Sequence, residues 1–290
     1  MPLPHHDTLI SYPDGATIST GTVLHVAALG DGRSAVLLDR TAFHPVDTAW
    51  PDQPSDRGTL RAGDVAQPIV EGLTAGIHEG VLHVGADLPV RSGTEGWIFA
   101  VAHVIEGPAP AVGETVTVDV DAEHRRALSA GHTGCHLASL ALDAALQDAW
   151  SKPAPLDALG RPGFDQLAIQ SSRIVPDGSV DVYRVGKSLR RKGFDPASLS
   201  DTAALADAVD RTLAGWIGSQ GAVRIERSDE ALSARRRWVC ELPEGSVSIP
   251  CGGTHLSSLG AIAAMCVEFA TRAVEGGVEL EMRTRVTPAP

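Results

Sequence analysis

No stretch of this 290-residue chain approaches the roughly 18 consecutive apolar residues that a membrane-spanning helix requires. The first residues, Met-Pro-Leu-Pro-His-His-Asp, have neither the basic nor the apolar region of a secretory signal. Cysteine is scarce: Cys135, Cys240, Cys251 and Cys266 follow no spacing of a secreted disulfide framework. These absences together predict a soluble protein of a reducing cytoplasm. A surplus of positive charge is missing as well. Twenty-four Lys and Arg face 36 Asp and Glu, a net charge of −12, which argues against a surface built throughout for phosphate. Internal repeats and low-complexity tracts are absent, and helix and strand signals do not alternate in a βαβ rhythm.

What is present is ordinary for a globular protein: 43% hydrophobic and 21% charged residues, in a chain long enough for two domains or one large one. Residues 1–114 read as short strands between turns. The run Thr22–Leu29, the turn Gly30-Asp31-Gly32 and the run Ser34–Leu38 form a hairpin signal. Gly80–Val84 and Thr115–Val120 alternate with the period of half-buried strands, and Pro108-Ala109-Pro110-Ala111 marks a loop or seam. This half is expected to be a small β-barrel.

From Asp121 the period changes. Asp121 can cap a helix running to about Trp150, with Leu128, His132, Cys135, His136, Leu140, Ala144 and Leu146 along one stripe. Strand-like pieces follow at Gln166–Ile174 and Ser179–Val185, joined by the turn Pro176-Asp177-Gly178. A second helix is expected from Asp201 to about Trp216 with Ser200 as its cap. The tail reads as a helix-like segment, Leu256–Ala273, then a strand, Val278–Val286. The expected fold class is therefore α+β: a barrel over 1–114, then an α+β domain over 115–290 with helices packed on a mostly antiparallel sheet.

Two short motifs carry the chemistry. His132-Thr133-Gly134-Cys135-His136 places two imidazoles four apart, hence on one face of a helix. Cys251-Gly252-Gly253-Thr254-His255 sets a thiol and an imidazole around a Gly-Gly pair that lets the backbone turn tightly. His132, His136, Cys251 and His255 make a nitrogen and sulfur donor set of the kind zinc takes in tetrahedral geometry. Four protein ligands ordinarily close a structural site, whereas catalysis needs a further coordination position or a ligand that yields. Arg184, Lys187, Arg190, Arg191 and Lys192 form a basic run, and Arg235-Arg236-Arg237 a second. Each reads either as a solvated loop or as a phosphate-facing strip beside the metal. Cys135, one residue off the ligand face, reads as buried filler. His44, His78, His83 and His103 have no ligand spacing. Trp50 and Phe43 can cover a ligand or belong to the core.

Asp121–Leu137 resembles the editing-domain helix of the alanyl-tRNA editing proteins (the AlaX family) and of alanyl-tRNA synthetase, and Pro250–His255 resembles the second motif of that family. Leu38-Asp39-Arg40-Thr41-Ala42-Phe43-His44-Pro45 and Gln53-Pro54-Ser55-Asp56-Arg57-Gly58-Thr59-Leu60 resemble its N-terminal signature. The resemblance implies a barrel-like domain followed by a zinc-bearing editing domain, and hydrolysis of mischarged alanine-specific tRNA, chiefly seryl- or glycyl-tRNA. It further implies a free-standing editor acting in trans, with tRNA as partner and Gln53 turned toward the site. Two positions depart from the family pattern: Ser129-Ala130 replaces Met-Arg, and Trp50-Pro51-Asp52 replaces a glycine triplet. In such a site zinc would anchor the substrate's amino group while Thr133 lines the pocket and separates serine from alanine by its hydroxyl. The alternative for Thr133 is a helix-interior threonine bonded to its own backbone. Alternatives for the protein are hydrolysis of a smaller ester or amide, and capture of an amino-acid-like ligand without chemistry.

Overall fold

The computed structural model describes residues 3–290. Its strands are β1 (Leu9–Ile10), β2 (Ile18–Gly30), β3 (Arg33–Leu38), β4 (Arg40–Thr41), β5 (Gly58–Ala62), β6 (Val65–His78), β7 (Val81–Val84), β8 (Ile98–Glu106) and β9 (Thr115–Val120) in the first part of the chain. Then come α1 (Ala122–Ala145), α2 (Phe164–Ala168), β10 (Ile169–Val175), β11 (Gly178–Val185), α3 (Lys187–Arg191) and α4 (Thr202–Gly218). The chain ends with β12 (Val223–Arg227), β13 (Arg236–Leu242), β14 (Gly245–Pro250), β15 (Ile262–Val274) and β16 (Gly277–Pro288). The whole is a sheet-rich α+β architecture. Among the described residues, no helix is long and apolar enough to cross a membrane.

Two compact units result. The first takes the chain up to Arg126 together with Ile225–Arg237 and Pro250–Thr254; the second takes Ala127–Arg224, Trp238–Ile249 and His255–Pro290. In the first unit a seven-stranded sheet has the order β5-β9-β2-β3-β8-β6-β7, and β5 pairs with β6 as well. Alternation explains the core. In β9, Val116, Val118 and Val120 are buried while Thr115 and Asp119 are exposed, and the valines pack with Val23, Val36, Leu38, Phe43, Leu60, Ile69 and Ile105. The expected hairpin is β2–β3. Its turn holds Gly30, Asp31 and Gly32 at φ 85°, 51° and 74°, left-handed values that suit glycine and that aspartate tolerates.

In the second unit β10-β11-β16-β15 form an antiparallel sheet. Helix α1 begins as expected, with Asp121 Oδ1 accepting the His124 N–H at 2.9 Å. It lies close on this sheet because Gly131 and Gly134 have no side chains. A Cβ on Gly131 would strike the Val175 and Gly178 carbonyls, and one on Gly134 would strike Val286 and Met265. Helix α4 is capped by Asp201, whose side chain accepts from Ala204 N, and not by Ser200, which follows the preceding short turn. Its Asp210 Oδ1 accepts the Val267 N–H of edge strand β15 at 2.9 Å, closing an otherwise open donor.

Two expected elements come out differently. Gln166–Ile174 starts as the last turn of α2, and β10 begins only at Ile169. The main-chain N–H of Asp165 is held by Asp143 Oδ1 at 2.8 Å, which anchors that helical turn. The helix-like tail 256–273 is a loop with one short 3-10 turn, Leu259–Ala261, followed by strand β15. Its alanines favour helix by less than about 1 kcal/mol each, and a continuous antiparallel ladder to β16 through the Glu275-Gly276 turn outweighs them.

Candidate metal centre

The helical half of the site follows from period alone. On α1, His132 and His136 are four residues apart and their ring centroids lie 5.0 Å from each other. The His255 ring lies 4.4 Å from that of His132 and 5.2 Å from that of His136. One donor atom each from His132, His136, Cys251 and His255 lies within 4.8 Å of the others. The two motifs therefore converge. His132 is buried and the other three are half-buried.

The loop half is held by hydrogen bonds from distant segments. Gln53, 1% exposed, donates Nε2–H to Thr254 Oγ1 at 2.9 Å and accepts the Thr254 N–H at 3.1 Å, a two-point clamp across 201 residues. The Cys251 N–H donates to Arg236 O at 3.2 Å. A Cβ on Gly252 would come within 3.3 Å of Arg236 Nη2, so the glycine makes room for the guanidinium. On the helix side, Thr133 is fully buried; its Oγ1 accepts the Leu256 N–H at 3.1 Å and lies 3.3 Å from His255 Nδ1. The tautomer in which Nδ1–H also donates to that oxygen leaves Nε2 bare for a metal. Both residues singled out as catalytic, Gln53 and Thr133, thus hold the CGGTH loop by side-chain hydrogen bonds.

The electrostatics match metal ligation. Burial lowers the His136 pKa to about 4, so the ring is neutral at physiological pH, and its Nε2 is buried with no hydrogen-bond partner. Burial raises the Cys251 thiol to about 12; the Gly253 and Gly252 N–H groups and the Arg236 charge oppose that rise. A thiol in this state yields its proton readily only to a cation that takes the sulfur. Three imidazoles, one sulfur and an orphaned buried nitrogen fit a tetrahedral divalent ion of the zinc type. Cys135 faces elsewhere, with its Sγ 3.4 Å from Asp181 Oδ1 and 3.6 Å from Ser172 Oγ.

Other expected residues fall outside this cluster. Arg184, Lys187, Arg190, Arg191 and Lys192 are all exposed. Two of them reach the β15–β16 turn, where Arg184 Nη2 donates to Glu275 O at 2.8 Å and Arg190 Nη2 to Gly276 O at 3.2 Å. On β11 the buried residues Ser179, Asp181 and Tyr183 alternate with exposed Arg184, and Cys135 of α1 meets Asp181. Arg184 therefore projects from the sheet face opposite α1 rather than beside the histidines. Trp50 is 46% exposed, while Phe43 belongs to the core.

Two features escape a reading by spacing. Arg125, in the first turn of α1, is buried and ion-paired with fully buried Asp56. Its Nε donates to Asp56 Oδ1 at 2.6 Å and its Nη2 also donates to Ala42 O at 2.7 Å, while Asp56 Oδ2 accepts the His44 N–H at 2.6 Å. All these residues lie in stretches that carry the family resemblance, but nothing in their sequence spacing says that they meet. Trp238 is the second: its ring lies 4.9 Å from that of His136 and 5.9 Å from that of His255. It follows the basic run Arg235-Arg236-Arg237, which drew attention to charge instead.

No family model matches the chain. It is 29% identical over 265 residues to an alanine–tRNA ligase of Pyrobaculum neutrophilum, an alignment covering 88% of this chain and 24% of that enzyme. It is 35% identical over 102 residues to an alanine–tRNA ligase of Caldivirga maquilingensis, covering 35% of this chain and 9% of that enzyme. The chain thus spans about a quarter of the length of the first of these relatives and less of the second.

Proposed function

We propose that this chain is a zinc-dependent aminoacyl-tRNA deacylase of the alanyl-tRNA editing type. Its substrate would be mischarged alanine-specific tRNA, chiefly Ser-tRNA(Ala) or Gly-tRNA(Ala), charged by a separate enzyme and hydrolysed in trans. The observation that carries this reading is the convergence of four donor atoms within 4.8 Å, in a chain similar along most of its length to part of an alanine–tRNA ligase. The pairing of β5 with both β9 and β6 supports reading the first unit's sheet as the small barrel that accompanies such a site.

His132, His136, Cys251 and His255 would hold the zinc. Bound there, zinc supplies Lewis acidity toward a carbonyl and lowers the pKa of water. Thr133 orients His255 and fixes which ring nitrogen carries the proton. Gln53 keeps Thr254, and with it the backbone between the two loop ligands, in place. The exposed run Arg184, Lys187, Arg190, Arg191 and Lys192 would contact the tRNA backbone, a local exception on an acidic body whose contribution must fall as salt rises. A second reading is favoured by the completeness of the donor set: four protein ligands suit a structural zinc in a non-catalytic binder of an amino-acid-like group. A small ester or amide substrate is the third.

Elemental analysis combined with deacylation of Ser-tRNA(Ala) and Ala-tRNA(Ala) separates these readings. Editing expects about one zinc per chain and selective release of serine, and His136→Ala and Cys251→Ala should both lose the metal and at least about 100-fold in rate. Zinc with no release from either tRNA supports the binder. Full activity in a metal-free variant rules out the proposed mechanism.

A further inference from the structure

We propose that Trp238 is a substrate-contacting residue whose indole N–H donates a hydrogen bond to the carbonyl oxygen of the aminoacyl ester at the metal centre. This rests on the deacylase reading for the identity of the ester, but its evidence is separate. Trp238 is 0% exposed, and its Nε1 is buried without a hydrogen-bond partner. The indole that carries this nitrogen lies 4.9 Å from the His136 ring and 5.9 Å from the His255 ring, packed against two proposed metal ligands. His136 Nε2 is likewise buried and unpartnered. Two orphaned polar atoms on touching rings mark a place that a polar ligand completes, because buried N–H groups are seldom left unsatisfied.

Another buried indole N–H is satisfied within the chain. Trp216, also buried, donates Nε1–H to Glu244 Oε2 at 2.7 Å, with Oε1 at 3.0 Å. Trp150 Nε1 also lacks a partner, but its ring packs on Phe194 at 5.1 Å, in no ring contact with the imidazoles. It serves as a control. A neutral donor fixed by burial would, on this proposal, meet the oxygen on which negative charge develops as water adds, with no reorganisation during the reaction.

The test labels the indole nitrogens of the zinc-loaded chain with 15N and follows them by NMR while a non-hydrolysable amide, 3′-serylamino-3′-deoxyadenosine, is added. Of the five tryptophans, the one whose signal disappears in Trp238→Phe is expected to move downfield, and the Trp150 signal, assigned through Trp150→Phe, is expected to stay. Trp238→Phe keeps the aromatic wall and removes the donor. It is expected to retain zinc and KM while kcat falls about 100-fold, whereas Trp150→Phe changes neither. A probe that fails to bind, or binds without moving the Trp238 signal, overturns the proposal. A shifted signal in a protein that releases no serine from Ser-tRNA(Ala) leaves this contact standing and removes the deacylase reading instead. Should Trp238→Phe lose its zinc, the wild-type shift, with the four other signals assigned by their own Trp→Phe variants, decides.

Discussion

The two halves of the candidate metal centre reach one place by different means. The helical half needs only its own backbone: the period of α1 sets His132 and His136 on one face, and Gly131 and Gly134 let that helix lie close on the sheet. The loop half has no such internal rule. Cys251 and His255 are directed by the Gln53 clamp on Thr254, by Thr133 at His255 and Leu256, and by the Arg236 carbonyl at Cys251. A helix carries its ligand geometry with it, whereas a glycine-rich loop must take its geometry from what surrounds it. Metal affinity should therefore be far more sensitive to the residues around the loop than to polar groups along the helix.

The sharpest way to break this contrast is at a buried ion pair that ties the start of the helix to a distant segment. Arg125 anchors the first turn of α1 to Asp56, and both side chains are buried. Arg125→Met leaves the Asp56 carboxylate in the interior with its guanidinium partner gone, and a buried charge stripped of its partner costs about 3–5 kcal/mol. A loss of that size in unfolding free energy is expected, read from the fall in denaturant midpoint at unchanged slope. A loss under about 1 kcal/mol would show that the helix stands without this anchor.

A smaller effect separates loop from helix directly. Gln53→Ala and Thr133→Val each remove a hydrogen-bonding group behind a ligand, and such outer groups are worth about 10- to 100-fold in metal affinity. Ser139→Ala removes a helix-face hydroxyl that bonds the His136 carbonyl at 3.1 Å, and is expected to change affinity by less than about 2-fold. Chelator competition measures all three. Equal losses in the three variants would dissolve the distinction between the halves.

That distinction also explains what could be read from the sequence. The four candidate ligands were legible as a cluster because HxxxH and CxxxH bring donors together through local geometry, and β9, the β2–β3 hairpin and the start of α1 were legible because period and turn chemistry are local too. The tail 262–274 was not, because its alanines point to helix and only the ladder to β16 makes it a strand. The resemblance pointed to Gln53, but not to a clamp on Thr254, which a partner 201 residues away decides. The basic run is exposed, and alternation along β11 turns Arg184 away from α1. Trp238 gave no signal, since a lone tryptophan in a strand reads as core until its neighbours are known.

The smallest expected effect lies on the helix, beyond the ligands. Asp143, 3% exposed near the end of α1, has its carboxyl raised from 3.8 to about 8, chiefly by burial; the Asp165 N–H opposes the rise and the Asp165 and Asp157 charges add to it. The folded protein therefore keeps a proton there that the unfolded chain releases above pH 4. Between about pH 4 and about pH 8 the native state binds more protons at this site, so its contribution to stability declines as pH rises, by at most about 1.4 kcal/mol per pH unit. Asp143→Asn keeps the oxygen that accepts the Asp165 N–H at 2.8 Å and removes the titration. Melting temperatures from pH 5 to pH 8 should decline less steeply in the variant than in the parent, with zinc content the same in both. Parallel profiles would mean that Asp143 is already ionised in the folded protein, and a loss of zinc would mean that the far end of α1 governs the ligands after all, against the stiffness attributed to it.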